Sequence, residues 1–200
     1  MKMEMSAKRI FRKSYPHRYV VDKITKDGLA IQIRPIRPDE SFLLEKTFST
    51  LSPRSICNGF HGYIQAVPEE LITKLTHIDY RRVMALLAID KDYHDTTPCG
   101  WALYVQNDEE SFAEVAVVVG DPWQGKGIGL MLIDHLTAIA RDQGIGSLRG
   151  QVLAHNIQMH NLLKKMGCDI LRDLGGDEFE IGKNLTYCKE KEALYVNRNH

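Results

Sequence analysis

What the chain lacks narrows its chemistry first. It has no CxxC pair and no Cys/His cluster. Its four cysteines, Cys57, Cys99, Cys168 and Cys188, are scattered. A zinc site is therefore not expected, and free thiols in a reducing compartment are. Neither charge is in excess: Lys+Arg and Asp+Glu are 26 each, against the basic surplus of a dedicated nucleic-acid binder. No apolar run nears the roughly 18 residues that span a bilayer. The longest, residues 113–119, is interrupted by Glu114. The N-terminus is basic and mixed, without the apolar segment of a secretory signal. No repeat or low-complexity stretch is found. The expectations are a cytoplasmic protein with no metal, no nucleic acid and no membrane among its partners.

What is present suits a globular domain. A chain of 200 residues buries roughly 70% of its unfolded surface and needs no staples. Alternation over residues 29–36, after the Asp27-Gly28 turn, predicts a first strand, with residues 19–24 as its hairpin partner. Pro38-Asp39-Glu40 opens a helix to about Ser49, with Phe42, Leu43, Leu44 and Phe48 as its apolar face. Short helices follow from Ser52-Pro53 and from Pro68-Glu69-Glu70. Residues 83–89, 99–105 and 112–119 read as strands, with a polar loop at 91–98. Residues 128–141 form a strong amphipathic helix stopped by Gly144. Then come a strand (148–154), a helix (158–166) and a closing hairpin (169–174 and 178–183). The order implies a mixed sheet with helices on its faces rather than a regular βαβα alternation.

The most informative segment is Val117-Val118-Val119-Gly120-Asp121-Pro122-Trp123-Gln124-Gly125-Lys126-Gly127-Ile128-Gly129-Leu130. A buried strand runs through a glycine-rich turn into a long helix. Glycines let the backbone come close to a ligand, and the helix start offers free N–H groups and a positive dipole end, a site for phosphate or pyrophosphate. A P-loop fails here because position 127 is glycine, not the Ser or Thr that holds magnesium. A dinucleotide fingerprint fails because Leu130 stands where its third glycine belongs and the turn lies past mid-chain.

Gln124-x-x-Gly127-x-Gly129 resembles the Q/R-x-x-G-x-G/A signature of the GNAT superfamily of acyl-CoA-dependent N-acetyltransferases. The resemblance implies an α/β (α+β) fold with a mixed central β-sheet, two splayed strands and flanking helices. It implies that the loop cradles the pyrophosphate of coenzyme A and that the pantetheine arm lies between strands 112–119 and 148–154. The stretch from Asn156 to Gly167 resembles the family's second cofactor motif, in which the asparagine bonds the pantetheine arm; Asn156 equally suits a helix cap. Many relatives have a tyrosine acid where Leu163 stands. Ile31-Gln32-Ile33-Arg34-Pro35-Ile36-Arg37-Pro38-Asp39, residues 50–55, 75–80 and 113–119 resemble the acetyltransferase domain of bacterial Pat-type protein lysine acetyltransferases. On this resemblance residues 15–184 are the catalytic domain, 1–14 an arm and 185–200 a tail.

The resemblance implies acetyl-CoA as cosubstrate. The cofactor-binding residues it implies are Val117, Val118, Val119, Gln124, Gly125, Lys126, Gly127, Ile128, Gly129, Leu130 and Asn156. An amine attacking a thioester must first lose a proton. Glu114 stands where Pat-type relatives place their base, and its burial is expected to raise its pKa. A backbone N–H within Val117–Val119 is expected to hold the oxyanion. The resemblance implies a protein lysine as acceptor, with an acyl-CoA synthetase as the candidate partner; a small amine is the alternative, and a non-catalytic acetyl-CoA sensor is the third reading. Cys168 is the one cysteine near these motifs, so direct attack is expected rather than a covalent enzyme intermediate. Trp123 is expected to pack on the helix start. His61, His77, His94 and His155 are expected to be structural or exposed, with His155 also a neighbour of the acyl site. Asp79 and Tyr80 carry no assigned role.

Overall fold

The apolar periodicities resolve into one eight-stranded sheet. The computed structural model describes residues 14–60, 64–76, 78–91, 98–106 and 110–186. The arm, most of the tail, the 91–98 loop beyond Lys91 and before Pro98, and His61, His77, His94 and Cys188 lie outside the described residues. Strand β1 (Val21–Ile24) pairs with β2 (Ala30–Pro35) as the expected hairpin. Ile31 and Ile33 of β2 are fully buried, as the alternation requires. Then follow α1 (Phe42–Phe48), α2 (Pro53–Phe60), α3 (Glu69–Thr76), β3 (Val83–Asp90), β4 (Pro98–Val105) and β5 (Phe112–Val119). The chain ends with α4 (Ile128–Asp142), β6 (Ser147–Leu153), α5 (Ile157–Met166), β7 (Asp169–Gly175) and β8 (Glu178–Asn184). The strand order is β1-β2-β3-β4-β5-β6-β8-β7.

Helix α4 and strand β4 anchor the core. Ile128, Leu132, Ile133, Leu136, Ile139 and Ala140 fall on one stripe of α4 and are buried. Each such aliphatic side chain contributes roughly 1.5–3 kcal/mol by leaving water. β4 packs against both α1 and α4, which explains why all but its last residue is buried. The helix expected from Pro38 to Ser49 is divided. A 3-10 turn (Pro38–Glu40) precedes α1. Glu40 is drawn back onto the Arg34 guanidinium at 2.7 and 2.9 Å and onto the Arg37 N–H at 3.0 Å, and the first turn closes on itself. Phe42 is therefore largely exposed, and Leu43 and Leu44 carry the buried face.

Every neighbouring pair is antiparallel except β5–β6, which α4 connects as a parallel crossover. That parallel ladder has three register pairs: Phe112↔Ser147, Ala113↔Leu148 and Glu114↔Arg149. β5 continues beside β4 to Val119↔Gly100, and β6 continues beside β8 to Leu153↔Glu178. The two strands therefore part beyond Glu114. A Cβ at Gly150 would lie 3.1 Å from the Val115 carbonyl oxygen, so glycine allows the backbones their last close approach where the gap begins.

Candidate active site

The gap is lined with backbone polar groups. Gly120 N–H bonds the Cys99 carbonyl at 2.8 Å. With the β4–β5 register, antiparallel alternation turns the amides of residues 114, 116 and 118 toward β4 and those of 115, 117 and 119 toward β6. Val117 and Val119 lie past the last β6 pair, so their amides face the opening. Val119 uses its carbonyl to accept the Gln124 side-chain amide at 3.0 Å.

The glycine-rich turn closes one end of the gap. Gln124 braces it: its Nε2 also reaches Asp121 Oδ1 at 3.0 Å and Ser55 Oγ at 3.2 Å. The signature glutamine thus joins strand end, turn and α2 through its side chain. Asp121 in turn accepts the Ser52 N–H at 3.1 Å. Burial pushes the Asp121 carboxyl up, but hydrogen bonds from Ser55 and Ser52 outweigh it and hold it below its ordinary value. Gly127 caps α4 in the left-handed region (φ +89°) with no side chain over the helix end. The N–H groups of Ile128, Gly129 and Leu130 precede the first closed helical turn, Met131 N–H to the Gly127 carbonyl. No acidic residue occupies that first turn.

All eleven sequence-derived cofactor residues, Val117 to Val119, Gln124 to Leu130 and Asn156, line one cavity of about 410 Å³. Lys26 and Lys165 line it beside Lys126, and among the described residues no Asp or Glu does. With the open helix end this is a place for an anion. Lys126 bonds Asp27 Oδ2 at 2.5 Å, so the turn lysine is held by the β1–β2 hairpin. The Lys126 ammonium, then the Thr25 hydroxyl, keep the Asp27 carboxyl below its ordinary value. Asn156 is buried at the start of α5. Its Oδ1 accepts the Met159 N–H at 3.1 Å and its Nδ2 donates to the Asn58 carbonyl at 3.4 Å. It therefore caps the helix and also lines the cavity. Trp123 is half-buried against the core and lines the same wall.

A second cavity, of about 530 Å³, continues from the first. Asn58, Gly59, Val117, Asn156, Met159 and Leu162 line both. Leu163 and Cys168 line the second, and burial pushes the Cys168 thiol up.

Glu114 corrects one expectation. It is exposed, not buried, and lines neither cavity. It sits at the last β5–β6 pair, with Ala116 exposed beside it in the alternation. It keeps its β6 partner, Arg149, but the strand positions on its face, Glu114 and Ala116, are both exposed. His155 is exposed, lies 3.4 Å from Asp177, and lines neither cavity. Asp79 and Tyr80 gain structural roles. Asp79 Oδ1 accepts the N–H groups of Arg81, Arg82 and Val83, and the Tyr80 hydroxyl bonds the Ile36 carbonyl. Sequence reasoning missed the α2 wall (Ser55, Asn58, Gly59) and Lys26. The only signal for Lys26 was its place beside the Asp27-Gly28 turn.

Comparison with known proteins agrees with this geometry. The chain is 30% identical over 141 residues to the acetyltransferase PA5475 of Pseudomonas aeruginosa, covering 70% of this chain and 76% of that one. Its fold is similar to the GNAT domain of PAT from S. lividans, with a TM-score of 0.75 at 23% identity over 85% of this chain and 99% of that domain. It is also similar to yncA, a putative acetyltransferase from Salmonella typhimurium solved with its cofactor acetyl-CoA (TM-score 0.61, 15% identity, 78% and 95% covered). The model of the acetyltransferase (GNAT) family matches residues 59–168, and with the parted strands and the uncapped glycine turn this places the chain in the GNAT family of acetyltransferases.

Proposed function

We propose that the protein transfers the acetyl group of acetyl-CoA to a lysine side chain of a protein, by direct attack in a ternary complex with Glu114 as general base. The observation that carries this reading is the continuity of the cleft. It runs from an uncapped helix start among three lysines to the Val117 amide in the strand gap, and Glu114 stands at the vertex on an open sheet face. The pyrophosphate suits the N–H groups of Ile128, Gly129 and Leu130. The thioester carbonyl suits the Val117 N–H.

The chemistry then balances simply. A lysine ammonium, ordinarily near 10.4, gives a proton to Glu114 directly or through water. The freed nitrogen attacks the thioester carbon, and the Val117 N–H holds the oxyanion. The nitrogen, cationic after the attack, gives its second proton to solvent, the C–S bond breaks, coenzyme A leaves as a thiolate that takes a proton from solvent, and Glu114 returns its proton to solvent. Leu163 cannot protonate the thiolate, and a thiolate leaves without that help. The exposure of Glu114, Ala116 and Gln151 supports a large acceptor. An acyl-CoA synthetase is the protein partner to try first.

The test is release of free CoA thiol from acetyl-CoA, offered a native acyl-CoA synthetase and, separately, a panel of small amines. Turnover with the protein and mapping of an acetylated lysine are expected. Turnover with small amines alone would make the acceptor a small molecule. Glu114→Gln should bind acetyl-CoA as wild type does and lose about 10²–10⁴-fold in turnover near neutral pH. Equal turnover would remove Glu114 as the base, and binding without any turnover would leave an acetyl-CoA sensor.

A further inference from the structure

Helix α5 has an apolar row that it does not bury. Met159, Leu162, Leu163 and Met166 recur at helical spacing, yet no residue of α5 is buried. All four line the 530 Å³ cavity. Ile133, Leu148, Val152 and Ile181, each buried, line it too. So does Cys168, a small side chain whose thiol pKa burial pushes up. Lys183 and Glu178 line it as well, the Lys183 ammonium bonded to the Met166 carbonyl at the end of α5. From Met159 to Met166 the row runs about 10 Å along the helix axis.

We infer that this cavity is an acyl-chain channel, and that the protein takes unbranched apolar acyl-CoA thioesters of about four to six carbons, given the roughly 10 Å of apolar helix face, in preference to acetyl-CoA. The occupant follows from continuity. The six residues shared with the cofactor cleft include Val117, whose amide faces the thioester position, and a chain starting there has the apolar row ahead of it. A carboxyl-ended chain does not suit the channel, since the Glu178 carboxylate is part of its lining and like charges repel. The inference rests on the acyl-CoA reading of the cleft and extends it to the identity of the acyl group.

The experiment is calorimetric titration of the full chain with CoA, acetyl-CoA, butyryl-CoA, hexanoyl-CoA and succinyl-CoA. Each methylene entering an apolar channel contributes about 0.8 kcal/mol, or roughly fourfold in affinity. Butyryl-CoA is expected to bind about 15-fold more tightly than acetyl-CoA, hexanoyl-CoA at least as tightly as butyryl-CoA, and succinyl-CoA, of equal length to butyryl, without that gain. Cys168→Phe, which puts a larger side chain into the lining, should bring the butyryl-to-acetyl ratio close to one. The milder Leu163→Phe should lower the same ratio if the first variant fails to fold. Butyryl-CoA binding no more tightly than acetyl-CoA overturns the channel while leaving the cofactor site intact. Equal gains from butyryl- and succinyl-CoA overturn its apolar character. Failure of CoA itself to bind overturns the cofactor reading beneath it.

Discussion

Two glycines two residues apart should respond in opposite ways to the same added methyl group. Gly127 has φ +89°, and a Cβ there would meet nothing within 4 Å. The cost of Gly127→Ala is thus conformational rather than steric, about 1–2 kcal/mol for holding a non-glycine residue in the left-handed region. Gly129 lies inside α4 with ordinary helical backbone. A Cβ there would meet Val119 Cγ2 at 3.5 Å and Leu162 Cδ2 at 3.8 Å, which is plain contact. Alanine exceeds glycine in a helix by at most about 1 kcal/mol, so Gly129→Ala should be neutral to stabilising. For a chain of this size a kcal/mol moves Tm by roughly 2–4 °C. Thermal unfolding of the free protein should therefore show Gly127→Ala lower by about 2–8 °C and Gly129→Ala unchanged or raised by up to about 4 °C. Urea midpoints should follow with unchanged slopes. Shifts of the same sign and size in both variants would refute the assignment of a left-handed cap at Gly127.

Other perturbations test single contacts. Asn156→Ala should cost about 1 kcal/mol in urea denaturation by uncapping α5, and Asn156→Asp, which keeps an oxygen for the Met159 N–H, should recover most of it; equal losses would discount the cap. The Asp27 carboxyl is held below its ordinary 3.8 by Lys126 and Thr25. Because the folded value is the lower one, the bridge stabilises the protein above the unfolded pKa and that contribution is lost as pH falls through the folded value. Carbon NMR should show an Asp27 midpoint below 3.8 that rises in Lys126→Met; an unchanged midpoint would discount the bridge. Tyr104→Phe keeps a buried ring but removes the 2.9 Å bond from its hydroxyl to the Arg81 carbonyl, and should lower the urea midpoint by the equivalent of about 1 kcal/mol.

The loop and the strand before it were legible because their signals are local. Gly125, Gly127 and Gly129 sit between a valine run and an amphipathic stripe, and each of those patterns fits within one element. The wall opposite was not legible. Gln124 meets Ser55 across 69 positions, Asn156 meets Asn58 across 98, and Lys126 meets Asp27 across 99. Nothing in the spacing of α2 or of the first hairpin announces those meetings. Glu114 shows a different limit. An apolar run around one carboxylate reads as buried, but burial depends on what packs over that face of the sheet, and Glu114 and Ala116 share a face that is exposed at both positions. The closing hairpin was legible as a hairpin, but its pattern did not show that Ile170, Leu171 and Leu174 of β7 lie exposed on the sheet edge.

The three-pair ladder between β5 and β6 also has a mechanical meaning. It divides the sheet into a leaf of β1 to β5 and a leaf of β6, β8 and β7, joined by a short seam and by the crossover helix. The second leaf is continuous in sequence from Ser147 to Asn184 and supplies its own pairing, so it has the makings of a unit that opens and recloses by itself. Its backbone amides should exchange with solvent at a smaller free energy than those of β3 and β4, which are sandwiched between helices. A ligand held by α4 on one side and α5 on the other touches both leaves at once, and its binding energy is then felt as resistance to that opening. Occupancy of the cleft would in this way set how long residues 147–184 stay folded between excursions.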